Sequence, residues 1–200
     1  MARYTGPKHK LARREGVNIL EKQSPSLERR LNVIPGSHSK RRKKFSEYGL
    51  QLREKQKLKR IYGLLERQFR RYVEEAQKSQ ENTEEALMQV LESRLDNMLF
   101  RLSFAKSRPM ARQFVTHRHV MVNGKRVNIP SYRIKPGDVV QLSKGLLEKN
   151  PDVQKLVEED KDLLPYLSRK NIEGKIKRLP TPEEIQNPVD YHLVIEFYSR

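Results

Sequence analysis

The chain has 200 residues, 36% hydrophobic and 34% charged, and its 42 Lys and Arg against 25 Asp and Glu give a formal net charge of +17. That apolar share supports one large or two small cores, whereas the cationic excess goes beyond what solubility needs and asks for a polyanionic partner. With no cysteine in the chain, disulfides, thiolate metal sites and cysteine nucleophiles are excluded together. Nucleic acid suits the charge better than a membrane surface does, because no long apolar run or amphipathic anchor occurs. The segment from Met1 to Lys8 has no hydrophobic signal core, so a cytoplasmic location is expected.

The charge is unevenly distributed. Residues 1–60 carry 18 basic and 5 acidic side chains, and residues 92–145 carry 11 and 3; the stretches 61–91 and 146–200 are each slightly acidic, at 4 against 6 and 9 against 11. Two basic blocks separated by near-neutral spacers are the pattern of two regions that grip phosphate. Residues 1–44 are rich in Arg, Lys, Gly, Pro and Ser without a sustained period, and read as an extended basic arm. The run Lys40-Arg41-Arg42-Lys43-Lys44 repels itself until phosphates neutralise it, and Tyr4, His9 and His38 supply rings able to stack on unpaired bases.

From Phe45 the pattern becomes helical, with Leu58, Ile61, Leu65, Phe69, Tyr72 and Val73 on one face and Arg60, Arg67, Arg70 and Arg71 among them. After a polar break at Ser79–Thr83, a second helix opens with Glu84 and Glu85 in its first turn. It runs through Leu87, Leu91, Leu95, Met98, Leu99 and Leu102, which are core. Ser107 then caps a short helix with Pro109 in its first turn and Ala111, Phe114 and Val115 on its apolar side.

The runs Val120–Val122 and Val127–Ile129 flank Asn123-Gly124, a pair suited to the positive φ angles of a type I′ hairpin, and Pro136-Gly137 leads into a strand over 138–142. Together these make a compact α+β unit of roughly 50 residues, ringed by cations. Beyond Leu146 the chain is acidic and loop-rich, with turns at Pro165, Gly174, Pro180 and Pro182, and Leu193–Tyr198 reads as a closing strand.

Several segments of the chain resemble, in order, the bacterial small-subunit ribosomal protein four family. They are 2–8 with Arg13-Arg14-Glu15-Gly16, then 48–56 and 60–69, Arg94-Leu95-Asp96-Asn97, 107–138 with Val122-Asn123-Gly124-Lys125, and 196–200. The resemblance implies a mainly helical discontinuous domain plus a compact RNA-binding module of two helices, a hairpin and a small antiparallel sheet. The expected division is an arm at 1–44, a helical domain at 45–93 completed by 176–200, the module at 94–155 and an acidic connection at 156–175. It further implies direct binding of 16S ribosomal RNA, nucleation of the subunit body, contact with small-subunit proteins five and three, proximity to messenger RNA, and a contribution to translational accuracy. Some relatives bind metal through four cysteines in the arm. This chain has none, so no metal and no cofactor are expected, and Pro35-Gly36-Ser37-His38-Ser39 departs from the family's usual turn.

The residues expected at RNA are Arg3, Lys8, Lys10, Arg13, Arg14, Tyr48, Gln51, Arg53, Lys55, Arg60, Arg67, Arg70, Arg94, Arg101, Arg108, Arg112, His117, His119, Asn123 and Lys125. Arginine's planar fork binds phosphate at two points, and folded RNA is selected by where its phosphates lie. Asn123 has a sufficient reason to be present in its turn. Neutralising Arg13, Arg14, Arg53 and Lys55 together is expected to weaken RNA binding without much loss of stability. The competing reading is an RNA-modifying enzyme carrying the same module. It needs a separate catalytic domain, for which the flanks leave little room. His117 and His119 are a poor metal pair two residues apart, and Asp96 and Asp138 have structural explanations.

Overall fold

The computed structural model describes residues 4–20, 24–36, 45–80, 82–159, 163–185 and 187–199. Arg3, His38 and the basic run at 40–44 lie outside the described residues. The chain divides into two compact units, residues 1–87 with 187–200 and residues 88–186. The first contains α1 (Lys8–Glu15), α2 (Pro25–Glu28), α3 (Glu47–Ile61), α4 (Glu66–Gln77) and the start of α5 (Thr83–Glu92). The second contains the end of α5, then α6 (Leu95–Arg101), α7 (Arg108–Thr116), β1 (Val120–Val122), β2 (Lys125–Arg126), β3 (Val139–Leu142), α8 (Lys144–Lys149), α9 (Pro151–Glu158), β4 (Leu167–Lys170) and β5 (Glu173–Ile176). The chain returns to the first unit as α10 (Tyr191–Tyr198). The class is α+β, as the sequence implied.

In the first unit, α3 is the central rod. Ser46 caps it by accepting from Gly49 N–H at 3.2 Å, Glu47 sits in its first turn, and Lys59 and Arg60 sit in its last, so both ends suit the helix dipole. The stripe from Leu58 to Val73, read as one helix, is two. Gly63 takes φ +63°, a conformation glycine adopts without a Cβ penalty, and the chain turns there before α4 begins. Both α1 and α10 pack on α3. In α1, Ala12 is fully buried and Gly16 ends the helix at φ +70°. Two turns with so few apolar residues carry no readable period, which is why the basic stretch gave no helical signal. Leu193–Tyr198 is helical rather than a strand. Asp190 caps α10 by accepting from His192 and Leu193 N–H, and Val194 is fully buried. A short apolar run has no period that separates the two states; the capping aspartate was the missed signal.

In the second unit the sheet has the order β2-β1-β3-β5-β4 and is antiparallel throughout. Val120, Val122, Val140, Leu142, Leu167 and Ile176 lie on its buried face. The helix read from Thr83 to Leu102 breaks at Arg94, whose backbone is extended, and resumes as α6; the six apolar residues expected in its core are all buried. Ser107 caps α7 by accepting from Met110 N–H, and Ala111, Phe114 and Val115 are buried. Asn123 and Gly124 take φ +49° and +77°, which is the hairpin turn foreseen, but the returning strand is Lys125–Arg126 rather than Val127–Ile129. The β4–β5 hairpin occupies a segment that showed only turn signals. Its strands, Leu-Ser-Arg-Lys and Glu-Gly-Lys-Ile, alternate too weakly to be seen. Gly174 lets this hairpin close on α6, since a Cβ there would collide with Leu102.

Candidate nucleic-acid interface

In the first unit the cations gather around one carboxylate. Glu15, at the end of α1, is almost wholly buried, and Arg60 and Arg53 from α3 both bond to it. Arg53 Nη1 also donates to the Arg14 carbonyl at 2.6 Å, and its guanidinium lies 5.0 Å from the centre of the Phe45 ring. These bonds fasten the carbonyl end of α1, where orphan acceptors need donors. Burial lowers the pKa of Arg60 more than Glu15 raises it, and the neighbouring Arg14 and Arg53 lower it further. Excess positive charge around a single acid is a standing demand for further anions. Lys10 and Arg14 are exposed, and Lys8 and Arg13 half-buried, with Arg13 Nε donating to the Val33 carbonyl at 2.9 Å. Arg67 and Arg70 are exposed on α4, the latter paired with Glu74 at 2.9 Å.

Two members of the expected set in this unit are interior. Gln51 is completely buried and neither amide atom has a hydrogen-bond partner. Lys55 is 6% exposed, with Nζ 2.9 Å from Glu66 Oε1 and 4.3 Å from the centre of the Phe197 ring. Burial raises the pKa of Glu66, but hydrogen bonds from Lys59, Tyr198 and Lys55 outweigh it and bring the value down to about 2. The same bond to Glu66, after burial, raises the pKa of the Tyr198 hydroxyl. Tyr48 is 51% exposed, its ring 5.5 Å from that of Phe197.

In the second unit several arginines are engaged internally. Arg94 is 1% exposed and makes a two-point pair with Asp96, at 3.0 and 2.6 Å, and Arg112 approaches the same carboxylate at 3.8 Å. Glu92, buried, accepts from Asn97 Nδ2 at 2.8 Å, from Arg101 at 3.0 and 2.8 Å, and from the Tyr166 hydroxyl at 3.2 Å. Tyr166 carries a raised pKa, first through burial and then through the Glu92 charge. Arg108 is 7% exposed, donates to Asn97 Oδ1 at 2.7 Å and lies over the Phe100 ring. Apart from Arg108 Nη2, which is buried without a hydrogen bond, these bonds satisfy groups that would otherwise cost several kcal/mol each to bury. The sequence offered Arg94, Arg101 and Arg108 to RNA because composition reports charge and not depth.

The remaining members of the set are on the surface. His117 is exposed and its ring is 6.2 Å from that of His119, which is half-buried. Asn123 accepts from Val139 N–H at 2.9 Å and donates to Asp138 at 2.8 Å, so its side chain closes the turn. Lys125 is exposed. Arg118, Arg126, Lys170 and Lys175 are exposed cations outside the expected set. Among the described residues no three His, Asp or Glu converge to hold a metal, and no helix is long and apolar enough to cross a membrane.

A helix pair backed by an antiparallel sheet, with cations on its surface, is the arrangement expected of a compact RNA-binding module. Residues 3–92 match the ribosomal protein S4/S9 N-terminal domain, and residues 93–140 match the S4 domain. The chain is 50% identical to small ribosomal subunit protein uS4 of Dictyoglomus turgidum, 49% identical to that of Thermotoga petrophila and 46% identical to that of Halothermothrix orenii, with full coverage of both chains each time. The chain belongs to the small ribosomal subunit protein uS4 family.

Proposed function

We propose that this chain is a structural constituent of the small ribosomal subunit, works in the cytoplasm as part of the ribosome, and binds 16S ribosomal RNA directly without catalysing a reaction. The observation that carries the reading is end-to-end similarity to relatives bearing that ribosomal name, on a chain of net charge +17. The contacts fall to the accessible cations: Lys8, Lys10, Arg13 and Arg14 on α1, Arg67 and Arg70 on α4, and Lys125 in the module. Each displaces counterions from a phosphate, so affinity falls with salt by a log–log slope of about 0.7–0.9 per contact. Arg53, Arg60, Lys55, Arg94, Arg101 and Arg108 act one step back, fixing the helices that present those cations. Nucleation of the subunit body, contact with proteins five and three and with messenger RNA, and an effect on accuracy are further parts of the proposal, supported by the resemblance alone. The RNA-modifying alternative is disfavoured, since both units are accounted for by ribosomal relatives over their full length.

Competition binding tests the reading. Labelled RNA from the 5′ domain of 16S should stay bound in a large excess of duplex DNA at physiological ionic strength; equal competition by DNA would refute it.

A further inference from the structure

The sheet of the second unit has one buried face and another whose residues are exposed or half-buried. Cross-strand partners share a face, so the register fixes what points outward. Met121 lies between buried Val120 and Val122. It pairs with Arg126 on one side and Gln141 on the other; Gln141 pairs with Glu173, and Glu173 with Lys170. The next outward row is Val139, Lys175 and Ser168. Arg126, Lys170 and Lys175 are exposed, whereas Met121, Val139, Gln141 and Ser168 are only half-buried, so a partner laid on the face would meet both charge and apolar surface.

These three cations differ from the arginines of the helix side. Arg94 and Arg101 are held by carboxylates, and Arg169 donates to the carbonyls of Leu102 and Leu156. Arg126, Lys170 and Lys175 make no ion pair and no side-chain hydrogen bond among the described residues. The one acid on the face, Glu173, accepts from the amide of Gln141 at 2.7 Å, leaving the cations in excess. Four strand spacings separate Arg126 on β2 from Lys170 on β4, roughly 19 Å, and Lys175 is on β5 beside β4, so the charge flanks a neutral centre on β1 and β3. Lys177, just past β5 and two residues after Lys175, extends the cationic border on that side.

We propose that this outer sheet face is a second RNA-docking surface of the chain, one that grips phosphates of ribosomal RNA at its two edges. The inference rests on the ribosomal reading above and extends it to residues in the β4–β5 hairpin, beyond the matched S4 domain. No aromatic side chain stands in either outward row, so there is no platform for stacking bases. Contact is with phosphate and ribose, and selection is by the spacing of the backbone.

The test compares the full-length chain with R126Q/K170Q/K175Q and with E173Q, measuring affinity for 16S RNA across a salt series alongside thermal melting. The triple variant should melt as the parent does, bind at least tenfold more weakly at low salt, and show a salt slope shallower by about two. E173Q keeps the bond to Gln141, removes the only acid, and should bind more tightly. Parental affinity and slope in both variants, with the parent still preferring ribosomal RNA over DNA, would overturn the sheet-face proposal and leave the ribosomal reading standing. A parent with no such preference would overturn that reading itself. Unchanged RNA affinity with impaired incorporation into subunits would put a protein on this face and also overturn the inference.

Discussion

Within residues 92–126 the same residue types do opposite work. At the junction of α5 and α6, Glu92, Arg94, Asp96 and Arg101 form pairs in the interior, with Arg94 and Glu92 almost completely hidden. On β2, thirty residues later, Lys125 and Arg126 stand in solvent with no partner among the described residues. Depth decides the role: a charge inside must be matched at close range, whereas a charge left unmatched outside attracts whatever polyanion arrives. The first unit repeats the contrast, with Lys55 and Arg60 held against Glu66 and Glu15 while Lys10 and Arg14 stay open.

The sharpest way to break this comparison is to remove one half of an interior pair. Asp96→Ala removes the two-point pair from the buried Arg94 guanidinium, and urea denaturation should register a loss of about 3–5 kcal/mol. A loss below about 1 kcal/mol would mean that Arg94 reaches water and belongs with the exposed set. Lys55→Ala should cost less, about 1–3 kcal/mol, because Glu66 is partly exposed and keeps Lys59 as a partner at 2.7 Å.

The four-cation neutralisation suggested by the sequence therefore splits in two. Arg13→Gln with Arg14→Gln should weaken RNA binding with melting unchanged, whereas Arg53→Gln with Lys55→Gln should lower the melting temperature as well. Parallel effects from the two pairs would erase the distinction drawn between them.

The smallest effect is in acid. The folded pKa of Glu66 lies at about 2, below its ordinary 4.5, so its contribution to stability is present above pH 4.5 and is lost as pH falls towards 2. Glu66→Gln should flatten that part of the stability–pH curve by lowering stability at neutral pH, the two curves converging as pH falls towards 2. A variant curve parallel to the parent's between pH 4.5 and 2 would contradict the assignment.

What the sequence made legible was local. The apolar residues of α4 to α6, the Ser107 cap and the Asn123-Gly124 turn each carry their signal in neighbouring residues; the cap and the turn are found where expected, whereas each long stripe is divided between two helices. The misread elements lacked such a signal or had an ambiguous one. The β4–β5 strands depend on their pairing with β3, and α10 on packing against α3, which no short window contains. In the candidate site, charge type was readable and burial was not. Arg94 and Lys125 look alike in a sequence, and only the position of Asp96 beside Arg94 hinted that one of them faces inward.

The central claim is that cations left unmatched by the fold bind this chain to small-subunit ribosomal RNA. Sedimentation of a cell lysate through a gradient at physiological salt tests it most directly. The account predicts the chain in the 30S and 70S peaks and its release towards the top of the gradient at high salt; a chain that stays at the top under physiological salt contradicts it.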